Sequence, residues 1–458
     1  MPLIGSDDRK QLSLDLLERF QDLSRSSPQD VERFALEKLA EIWRVARQSN
    51  SWWRQYLPPW REVFDPSLGM NGLLAKLPVM TRSVVQDSAA FSSVWLANSS
   101  VNEYGSASTS GSTGKPVKVL KHGPSYDIGI FAASLQETLW HERDMSLPTL
   151  HLRNQKVGRE KSQIRAPFSF LWSSGANFSL RIAETSPRAV LEFIQHNQIV
   201  NIFGANNFLR LLANEQLNYP VKHSVEHFVN WAEALSPTTR ELLNTAFGAH
   251  VADRYSSEEL GLIAIQCPVD THLHTLQYYN WVEIVDEKGV ACKTGEPGRV
   301  LITNLRNLAQ PLIRYELGDM ATWAEPCGEG ISLPVLEPLI TRQRETIPLD
   351  DGRWIQPNAS GCLLAKESLV TDFQVYRFNN ALLVLYSAAA QLIQVKQSQT
   401  AEDLQSRFRT TDPVFFVATQ VTRFQLHKRK DFVRVDEALG RHNLNDWANR
   451  LLTEIAYV

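Results

Sequence analysis

The hydrophobic pattern of residues 27–49 predicts an amphipathic helix, because apolar side chains recur every three or four positions in a segment that begins SPQDVERFALEKLAEIW. Ser27 can cap this helix, Pro28 suits its first turn, and Asp30 stands where a capping box places its acidic partner. The apolar stripe consists of Val31, Phe34, Ala35, Leu39, Ile42 and Ala46. We therefore expect a helix with one face in a core.

Further along, helical and strand-like runs alternate. PRAVLEFIQHNQIVNIFGANNFLRLLA predicts a helix, a strand from Ile199 to Phe203 and a second helix. The rhythm returns with a helix that ends near Gly248 and a strand from about His250 to Tyr255. Such alternation is typical of a mostly parallel sheet. Residues 281–303 hold two β-rich runs joined by a Gly-rich connection, which indicates antiparallel pairing.

The length of 458 residues exceeds what one core normally supports, so more than one domain is expected. A proline-punctuated stretch ends near residues 341–346. We predict a large N-terminal domain over residues 1–341, with mostly parallel sheets and an antiparallel β portion, and a small α+β C-terminal domain over residues 342–458. The fold class is α/β.

Composition narrows the function classes. With 43% hydrophobic and 21% charged residues and a net charge of -3, the chain has no basic field for nucleic acid or anionic membrane. The N-terminus lacks a signal-peptide pattern and no apolar run reaches about 18 residues, so we expect neither secretion nor membrane insertion. Four sparse cysteines favour the cytoplasm. The tryptophan-rich SWWRQYLPPW (51–60) is interpreted as packing.

A hydroxyl-rich loop carries the first chemical signal. In YGSASTSGSTGKPVKV (104–119), small hydroxyl residues and two glycines precede Lys115, a composition suited to phosphate oxygens. A P-loop would need glycine at Thr109 and a hydroxyl residue at Pro116. Because Val117 begins a strand-like run, we predict a flap between two strands over phosphates, and a flexible linker is the alternative.

Three later segments appear in a fixed order: DRYSSEELG (253–261), GEPGRVLITNL with PLIRYELGD (295–319), and HKRKDF (427–432). Together with TSGSTGKP they resemble the adenylate-forming superfamily of acyl-CoA synthetases and adenylation domains. Within it, the chain is most similar to the phenylacetate–coenzyme A ligase-like branch, which includes capsule-biosynthesis relatives. LPVMTRSVVQD (77–87) resembles the entry segment of that branch. The resemblance spans roughly residues 75 to 345.

The resemblance implies an enzyme that uses ATP and Mg²⁺ to convert a carboxylic acid, preferably an aryl or arylacetic acid, to an acyl-adenylate with release of pyrophosphate. It implies acyl transfer to coenzyme A, with an amine or a carrier-protein thiol as alternative acceptors, and a small mobile domain. A non-catalytic nucleotide-binding protein of the same fold is an alternative of another class. A P-loop kinase or ATPase is opposed by Pro116.

The resemblance also implies roles for individual residues. Glu259 would ligate Mg²⁺, Tyr255 with the adjoining Ser256 would meet adenine, and Asp319 would accept hydrogen bonds from the ribose hydroxyls. In NWAEAL, Ala232 and Glu233 would lie at the adenine edge, and residues 206–208 would form a wall of the acyl pocket. The phosphate loop would comprise Ser108, Thr109, Ser110, Gly111, Ser112, Thr113, Gly114 and Lys115.

Departures from the family pattern affect the hinge and the catalytic lysine. Arg342 keeps its place in the hinge segment, whereas Arg344 replaces the usual acid. In LHKRKDF, Lys428 is the first candidate for the lysine that stabilises charge at the α-phosphate, and Lys430 is the second. A basic loop without catalytic function is the alternative.

Cys267 and His274 match positions that hold zinc in some members of the branch. Of a later C-x-C-G motif only PCG around Cys327 survives, and His272 could replace the missing thiolate. The alternatives are a structural zinc site and an ordinary buried thiol beside surface histidines.

Overall fold

The computed structural model describes residues 6–49, 51–86, 104–108, 117–153, 163–164, 175–182, 184–337, 341–342, 347–348, 354–355, 370–388, 394–408, 410–418, 432–434 and single positions or pairs between 439 and 450. Its helices are α1 (Ser6–Arg25), α2 (Pro28–Ser49), α3 (Ser51–Tyr56), α4 (Trp60–Val63), α5 (Gly69–Leu74), α6 (Arg82–Gln86), α7 (Gly123–Trp140), α8 (Pro187–Asn197), α9 (Asn206–Asn218), α10 (Pro237–Phe247) and α11 (Gln394–Phe408).

The described strands before residue 340 are β1 (Tyr104–Ser108), β2 (Lys118–His122), β3 (Thr149–Arg153), β4 (Gln163–Ile164), β5 (Asn177–Arg181), β6 (Asn201–Gly204), β7 (His227–Asn230), β8 (His250–Ser257), β9 (Gly261–Gln266), β10 (Leu273–Thr275), β11 (Asn280–Val285), β12 (Pro297–Asn304), β13 (Tyr315–Thr322) and β14 (Val335–Leu336). They are followed by β15 (Thr341–Arg342), β16 (Ile347–Pro348), β17 (Trp354–Ile355), β18 (Val370–Phe378), β19 (Ala381–Ala388), β20 (Val414–Ala418) and β21 (Phe432–Arg434).

A nine-stranded sheet with the order β14-β10-β9-β8-β7-β6-β3-β5-β4 forms the centre of the large part of the chain. Its strands β8, β7, β6, β3 and β5 are parallel, because helices return the chain between most of them. A second sheet, β11-β12-β13-β15, is antiparallel. The prediction of an α/β fold with an antiparallel portion is confirmed.

The predicted elements are found with small changes of boundary. Helix α2 begins at Pro28, and the Ser27 hydroxyl accepts from the Asp30 amide at 3.2 Å while it donates to the Asp30 carboxylate. The strand expected from Ile199 lies instead at Asn201–Gly204. Gly248 caps α10 with φ 62°, a conformation that glycine adopts without strain.

The tryptophan-rich segment contributes to packing, as predicted. Trp53 is fully buried, and its indole N–H donates to the Pro311 carbonyl at 3.2 Å. This contact fixes the start of the PLIRY segment.

A buried ion pair holds the start of β13. Arg314 has φ 48°, and its Nε donates to Glu283 Oε1 at 3.1 Å. Its Nη1 donates to the Leu77 carbonyl at 2.8 Å. The Met80 amide donates to the Arg314 carbonyl, and the Met80 carbonyl accepts from the Glu316 amide. The entry segment is therefore anchored to the antiparallel sheet.

The N-terminal helix α1 is fastened to residues far along the chain. Phe20 is fully buried and stacks on Tyr278 with ring centroids 4.3 Å apart. At the end of α1, the Ser24 carbonyl accepts from the Ser332 amide at 2.9 Å, and the Ser26 carbonyl accepts from the Ser332 hydroxyl.

The C-terminal residues form a separate sheet with the order β20-β19-β18-β21. It buries side chains such as Phe378 and Leu383, and α11 connects β19 to β20. The boundary at residues 341–342 stays a prediction.

Candidate functional site

The candidate site lies where the parallel strands β6, β7 and β8 end, the edge at which open α/β sheets bind ligands. Gly204, Asn230 and Tyr255 mark this edge. The backbone amide of Trp231 donates to the Gly204 carbonyl at 3.1 Å, which holds two of the strand ends in register.

Tyr255 and Asp319 meet at this edge. The Tyr255 hydroxyl donates to Asp319 Oδ2 at 2.7 Å, and Asp319 is only 4% exposed. Tyr255 lies on β8 of the nine-stranded sheet and Asp319 lies on β13 of the antiparallel sheet, directly opposite Arg342 of β15. The hydrogen bond and the strand pairing therefore bring together Tyr255 and Asp319, which the sequence assigned to the nucleotide, and the backbone of Arg342 in the predicted hinge.

The Glu233 carboxylate is held by the backbone at the start of a neighbouring helix. Its Oε2 accepts from the Asn207 amide at 3.0 Å, in the first turn of α9, where the helix dipole stabilises a carboxylate. The preceding Ala232 has φ 66°, an uncommon conformation for alanine. The segment of Ala232 and Glu233 is thus tied to residues 206–208, the predicted wall of the acyl pocket.

Glu259 is buried in the turn between β8 and β9, with 5% exposure. Arg82 Nη1 lies 3.6 Å from its Oε1. Arg82 lies within the entry segment, where it begins α6 two residues after the anchored Met80. The sequence did not predict this ion pair, in which a guanidinium occupies the neighbourhood that Mg²⁺ would share. Ser256 lies beside Tyr255 at an irregularity in the pairing of β8 with β9.

The two strands around the phosphate loop are present as predicted: β1 and β2 pair antiparallel, with Ser108 opposite Lys118. The loop residues Thr109 to Lys115 lie outside the described residues, as do Arg344, Lys428 and Lys430.

The four predicted zinc ligands converge. Ligand atoms of Cys267, His272, His274 and Cys327 all lie within 4.8 Å of one another. The two sulfurs are 4.0 Å apart and the two Nε2 atoms 3.2 Å apart. A tetrahedral zinc with ordinary bond lengths would need about 3.8 Å and about 3.3 Å respectively.

The hydrogen bonds around this cluster orient the Nε2 atoms of its two histidines towards each other. His274 Nδ1 lies 3.1 Å from the Leu333 carbonyl and His272 Nδ1 lies 3.2 Å from Asp270 Oδ2, so each Nδ1 is the donor. The Nε2 lone pairs then face each other, which a cation between them would stabilise. Burial lowers the pKa of His274 to about 4 and keeps it neutral. Cys267 directly follows β9, three residues after Ala264, the cross-strand partner of Tyr255.

A buried group of charges that the sequence did not indicate lies beside the site. Glu137 of α7 is 1% exposed, and its Oε2 lies 3.3 Å from Arg254 Nη1 and 3.5 Å from Arg143 Nη2. Both guanidiniums also lie over the Phe203 ring. Burial opposes ionisation of Glu137, but the two arginines hold its pKa below the ordinary value.

A second buried acid, Asp253, lies under the same edge. Burial raises its pKa to about 6, although Asn230 donates to its Oδ1 at 2.7 Å. His151 is 4% exposed, and burial lowers its pKa to about 3, so its ring is neutral near pH 7. The position of Arg254 on the strand, directly before Tyr255, is the sequence signal that could have indicated its place beside the site.

No protein-family model and no curated protein matches the sequence. Among helices that the structure describes, none is long and apolar enough to cross a bilayer.

Solved structures do match. 2-Hydroxyisobutyryl-CoA ligase, in the postadenylation state with 2-HIB-AMP, is similar over 93% of this chain and 93% of its own, with 16% identity and a TM-score of 0.72. Anthranilate CoA ligase AuaEII is similar over 76% and 67%, with 14% identity and a TM-score of 0.56. A benzoate CoA ligase from Burkholderia xenovorans LB400 is similar over 72% and 68%, with 12% identity and a TM-score of 0.51. The chain therefore has the fold of the adenylate-forming CoA ligases.

Proposed function

We propose that this protein activates a carboxylic acid with ATP and transfers the acyl group to an acceptor thiol. In the first step a carboxylate oxygen forms a bond to the α-phosphorus, the bond to pyrophosphate breaks, and an acyl-adenylate results. In the second step the thiol sulfur attacks the acyl carbon, AMP leaves, and the thiol gives up its proton. Coenzyme A is the proposed acceptor, since the similar structures are CoA ligases.

The hydrogen bond from Tyr255 to Asp319 is the observation that carries the proposal. It holds the tyrosine ring beside the Asp319 carboxylate, a group type that accepts hydrogen bonds from ribose hydroxyls. The order of the flanking motifs supports the same assignment. Ser108 and Thr109 to Lys115 would bind the leaving phosphates, and Lys428 would stabilise the charge at the α-phosphate.

Glu259 is proposed to ligate Mg²⁺, because a buried carboxylate beside phosphates is a ligand type that this ion prefers. Bound Mg²⁺ would neutralise phosphate charge. Glu259 would have to exchange its contact with Arg82 for the ion, and that guanidinium could then turn towards a phosphate oxygen.

We also propose a structural zinc site formed by Cys267, His272, His274 and Cys327. Bound zinc would cross-link β9, β10 and the loop that contains Cys327. A cytoplasmic location is proposed from the free thiols of Cys267, Cys292 and Cys327.

A non-catalytic nucleotide-binding protein is the second candidate, and the engagement of Glu259 by Arg82 favours it. Acid-dependent exchange of labelled pyrophosphate into ATP distinguishes the two. We expect exchange with at least one acid from a panel of aryl, arylacetic and short aliphatic acids, and its loss in Asp319→Ala. Asp15→Asn, an exposed change on α1, is the control. ATP binding without exchange for any acid would favour the second candidate.

A further inference from the structure

Three arginines line one face of the large sheet next to the candidate site. Leu150 and Leu152 of β3 pack in the core formed with α8, α9 and α10. Because side chains alternate along a strand, His151 and Arg153 lie on the opposite face. There the His151 ring stacks on Phe203 with centroids 4.9 Å apart.

Trp231 connects two of the arginines. The guanidinium carbon of Arg153 lies 5.1 Å from the indole centroid, and that of Arg254 lies 5.4 Å from it. Phe203 lies 5.7 Å from the same indole. Two planar cations and two aromatic rings therefore surround one small region at the carboxyl ends of β3, β7 and β8.

The positive charge of this region exceeds its buried negative charge. Arg143 and Arg254 share the single carboxylate of Glu137. Among the described residues, the carboxylate that acts on the charge of Arg153 is that of Glu258, which is exposed to solvent. Among the residues that the structure describes, no acidic side chain forms an ion pair with Arg153, and desolvated cations are costly without an anion.

Several buried polar atoms of the region also have no hydrogen-bond partner within the described part of the chain. They are Arg143 Nη1, Arg153 Nε, Arg254 Nε, His151 Nδ1 and Ser179 Oγ. Buried polar groups are nearly always satisfied by protein, water or ligand. Because these atoms lie together on one sheet face, beside the carboxyl edge, they indicate a binding site for a polar ligand group that would satisfy them.

We propose that the carboxylic acid substrate carries a second anionic group, a carboxylate or sulfonate, which Arg153 and Arg254 bind beside Trp231. The two oxygens of a carboxylate, or two of the three oxygens of a sulfonate, can accept from the donors of two guanidiniums, and the rings of Trp231 and Phe203 would contact its carbon skeleton. The reacting carboxylate is a different group, because Tyr255 follows Arg254 on β8 and reaches Asp319 on the other side of the strand. This inference rests on the proposed adenylation function.

The test compares acids of matched size with one or two anionic groups: pentanoate with glutarate, 4-methylbenzoate with terephthalate, and 4-methylphenylacetate with 4-carboxyphenylacetate. The measurement is kcat/KM for pyrophosphate exchange in the parent, Arg153→Gln and Arg181→Gln. Arg181 is the cross-strand neighbour of Arg153 on β5, and its partner is the exposed Glu184, so it is the matched control.

We expect the dianion to be preferred by about 10-fold or more in at least one pair, and Arg153→Gln to lower kcat/KM for that dianion about 10- to 100-fold while the monoanion changes by less than about 3-fold. Arg181→Gln should keep the parent's preference. Preference for the monoanion in every pair, or a dianion preference that survives Arg153→Gln, would overturn the proposal. Thioester formation is measured as well: a change in Arg153→Gln confined to the KM for coenzyme A would overturn the proposal too, because the bound anion would then be a phosphate of the acceptor.

Failure of the proposed function is distinguishable. If no acid supports exchange, calorimetric titration of the parent with terephthalate and with 4-methylbenzoate still tests the site. Binding of terephthalate alone, lost in Arg153→Gln and kept in Arg181→Gln, would support the anion site while adenylation is wrong. Absence of binding by glutarate, terephthalate and 4-carboxyphenylacetate would reject the site.

Discussion

The Tyr255 hydroxyl donates a 2.7 Å hydrogen bond to Asp319, although the two residues lie on strands of different sheets. The bond fixes the distance between the end of β8 and the middle of β13. A ligand that contacts both residues would therefore meet a preformed site, and preorganisation of this kind lowers the cost of binding.

Substitutions at this pair should affect ATP affinity in a graded order. Asp319→Ala removes a charged acceptor, so we expect a loss of about 1.5–3 kcal/mol in ATP binding. Tyr255→Phe keeps the ring and removes only the orienting hydroxyl, so about 0.5–1.5 kcal/mol should be lost. Calorimetric titration with ATP measures both. Unchanged affinity in Asp319→Ala would remove Asp319 from the site.

The ion pair of Arg82 and Glu259 gives opposite predictions for its two members. Glu259→Gln should raise the Mg²⁺ concentration needed for half-maximal exchange, because a ligand is lost. Arg82→Gln should lower it, by about 2- to 5-fold for a pair whose cation is partly exposed. A Mg²⁺ titration of the exchange rate decides. If the two variants shift the requirement in the same direction, competition between guanidinium and metal is not the explanation.

The zinc prediction concerns metal content and stability rather than activity. We expect one zinc per chain in the parent and less than half of that in Cys327→Ser, because structural sites need all four ligands. A chelator should lower the melting temperature of the parent and leave that of Cys327→Ser nearly unchanged. Cys292→Ser removes a free thiol outside the cluster and should behave like the parent. Equal zinc content in all three proteins would refute the site.

Asp253 should make the free energy of unfolding depend on pH. Its pKa is raised to about 6 in the fold, so its contribution is complete below the unfolded pKa near 4 and is lost as the pH rises through 6. Buried histidines have lowered pKa values and act in the opposite direction over this window. The difference between the parent and Asp253→Asn isolates the aspartate.

We therefore expect the stability of the parent relative to Asp253→Asn to fall between pH 4 and pH 7, by about 1.4 kcal/mol for each unit of pKa shift. Urea denaturation at several pH values measures this difference. A difference that is constant across the range would mean that Asp253 is ionised as readily in the folded chain as in the unfolded one.

Lys428 should matter for the first chemical step and little for binding. A group that acts while charge develops at the α-phosphate changes the rate more than the ground state, so Lys428→Ala should lower acid-dependent exchange by about 10²-fold or more. ATP affinity and acyl transfer from a supplied acyl-adenylate should persist. Lys430→Ala is the matched variant: a defect there and none in Lys428→Ala would move the assignment by two residues.

Much of the fold could be predicted because its periodicities are local. The stripe of α2, the strand after Gly248 and the pairing of β11 with β12 each follow from patterns within a few dozen residues. The strand expected at Ile199 lies two residues later, because Ile199 and Val200 complete the turn from α8: the Ile199 amide still donates to the Ile194 carbonyl.

The site was harder to predict where partners are distant. The resemblance suggested Cys267, His274 and Cys327 as ligands with His272 as a substitute, but spacing alone does not bring Cys327 to the others, because it joins them through tertiary contacts. Arg143, Arg153 and Arg254 would be assigned to a solvated face by charge alone, whereas they lie beside two aromatic rings. Glu233 was expected at the adenine edge, and the Asn207 amide to which it is bonded depends on how β7 and α9 meet.

The attachment of α1 to Ser332 has a consequence for synthesis of the protein. Ser26 and Ser332 are 306 positions apart, and Phe20 needs Tyr278 to cover it. At about 5–20 residues per second, a ribosome needs roughly 15–60 s to make that intervening chain. During this time α1 can pack on α2 and α7, but it lacks Tyr278 and Ser332, so we expect the native packing of α1 to be completed only late in synthesis.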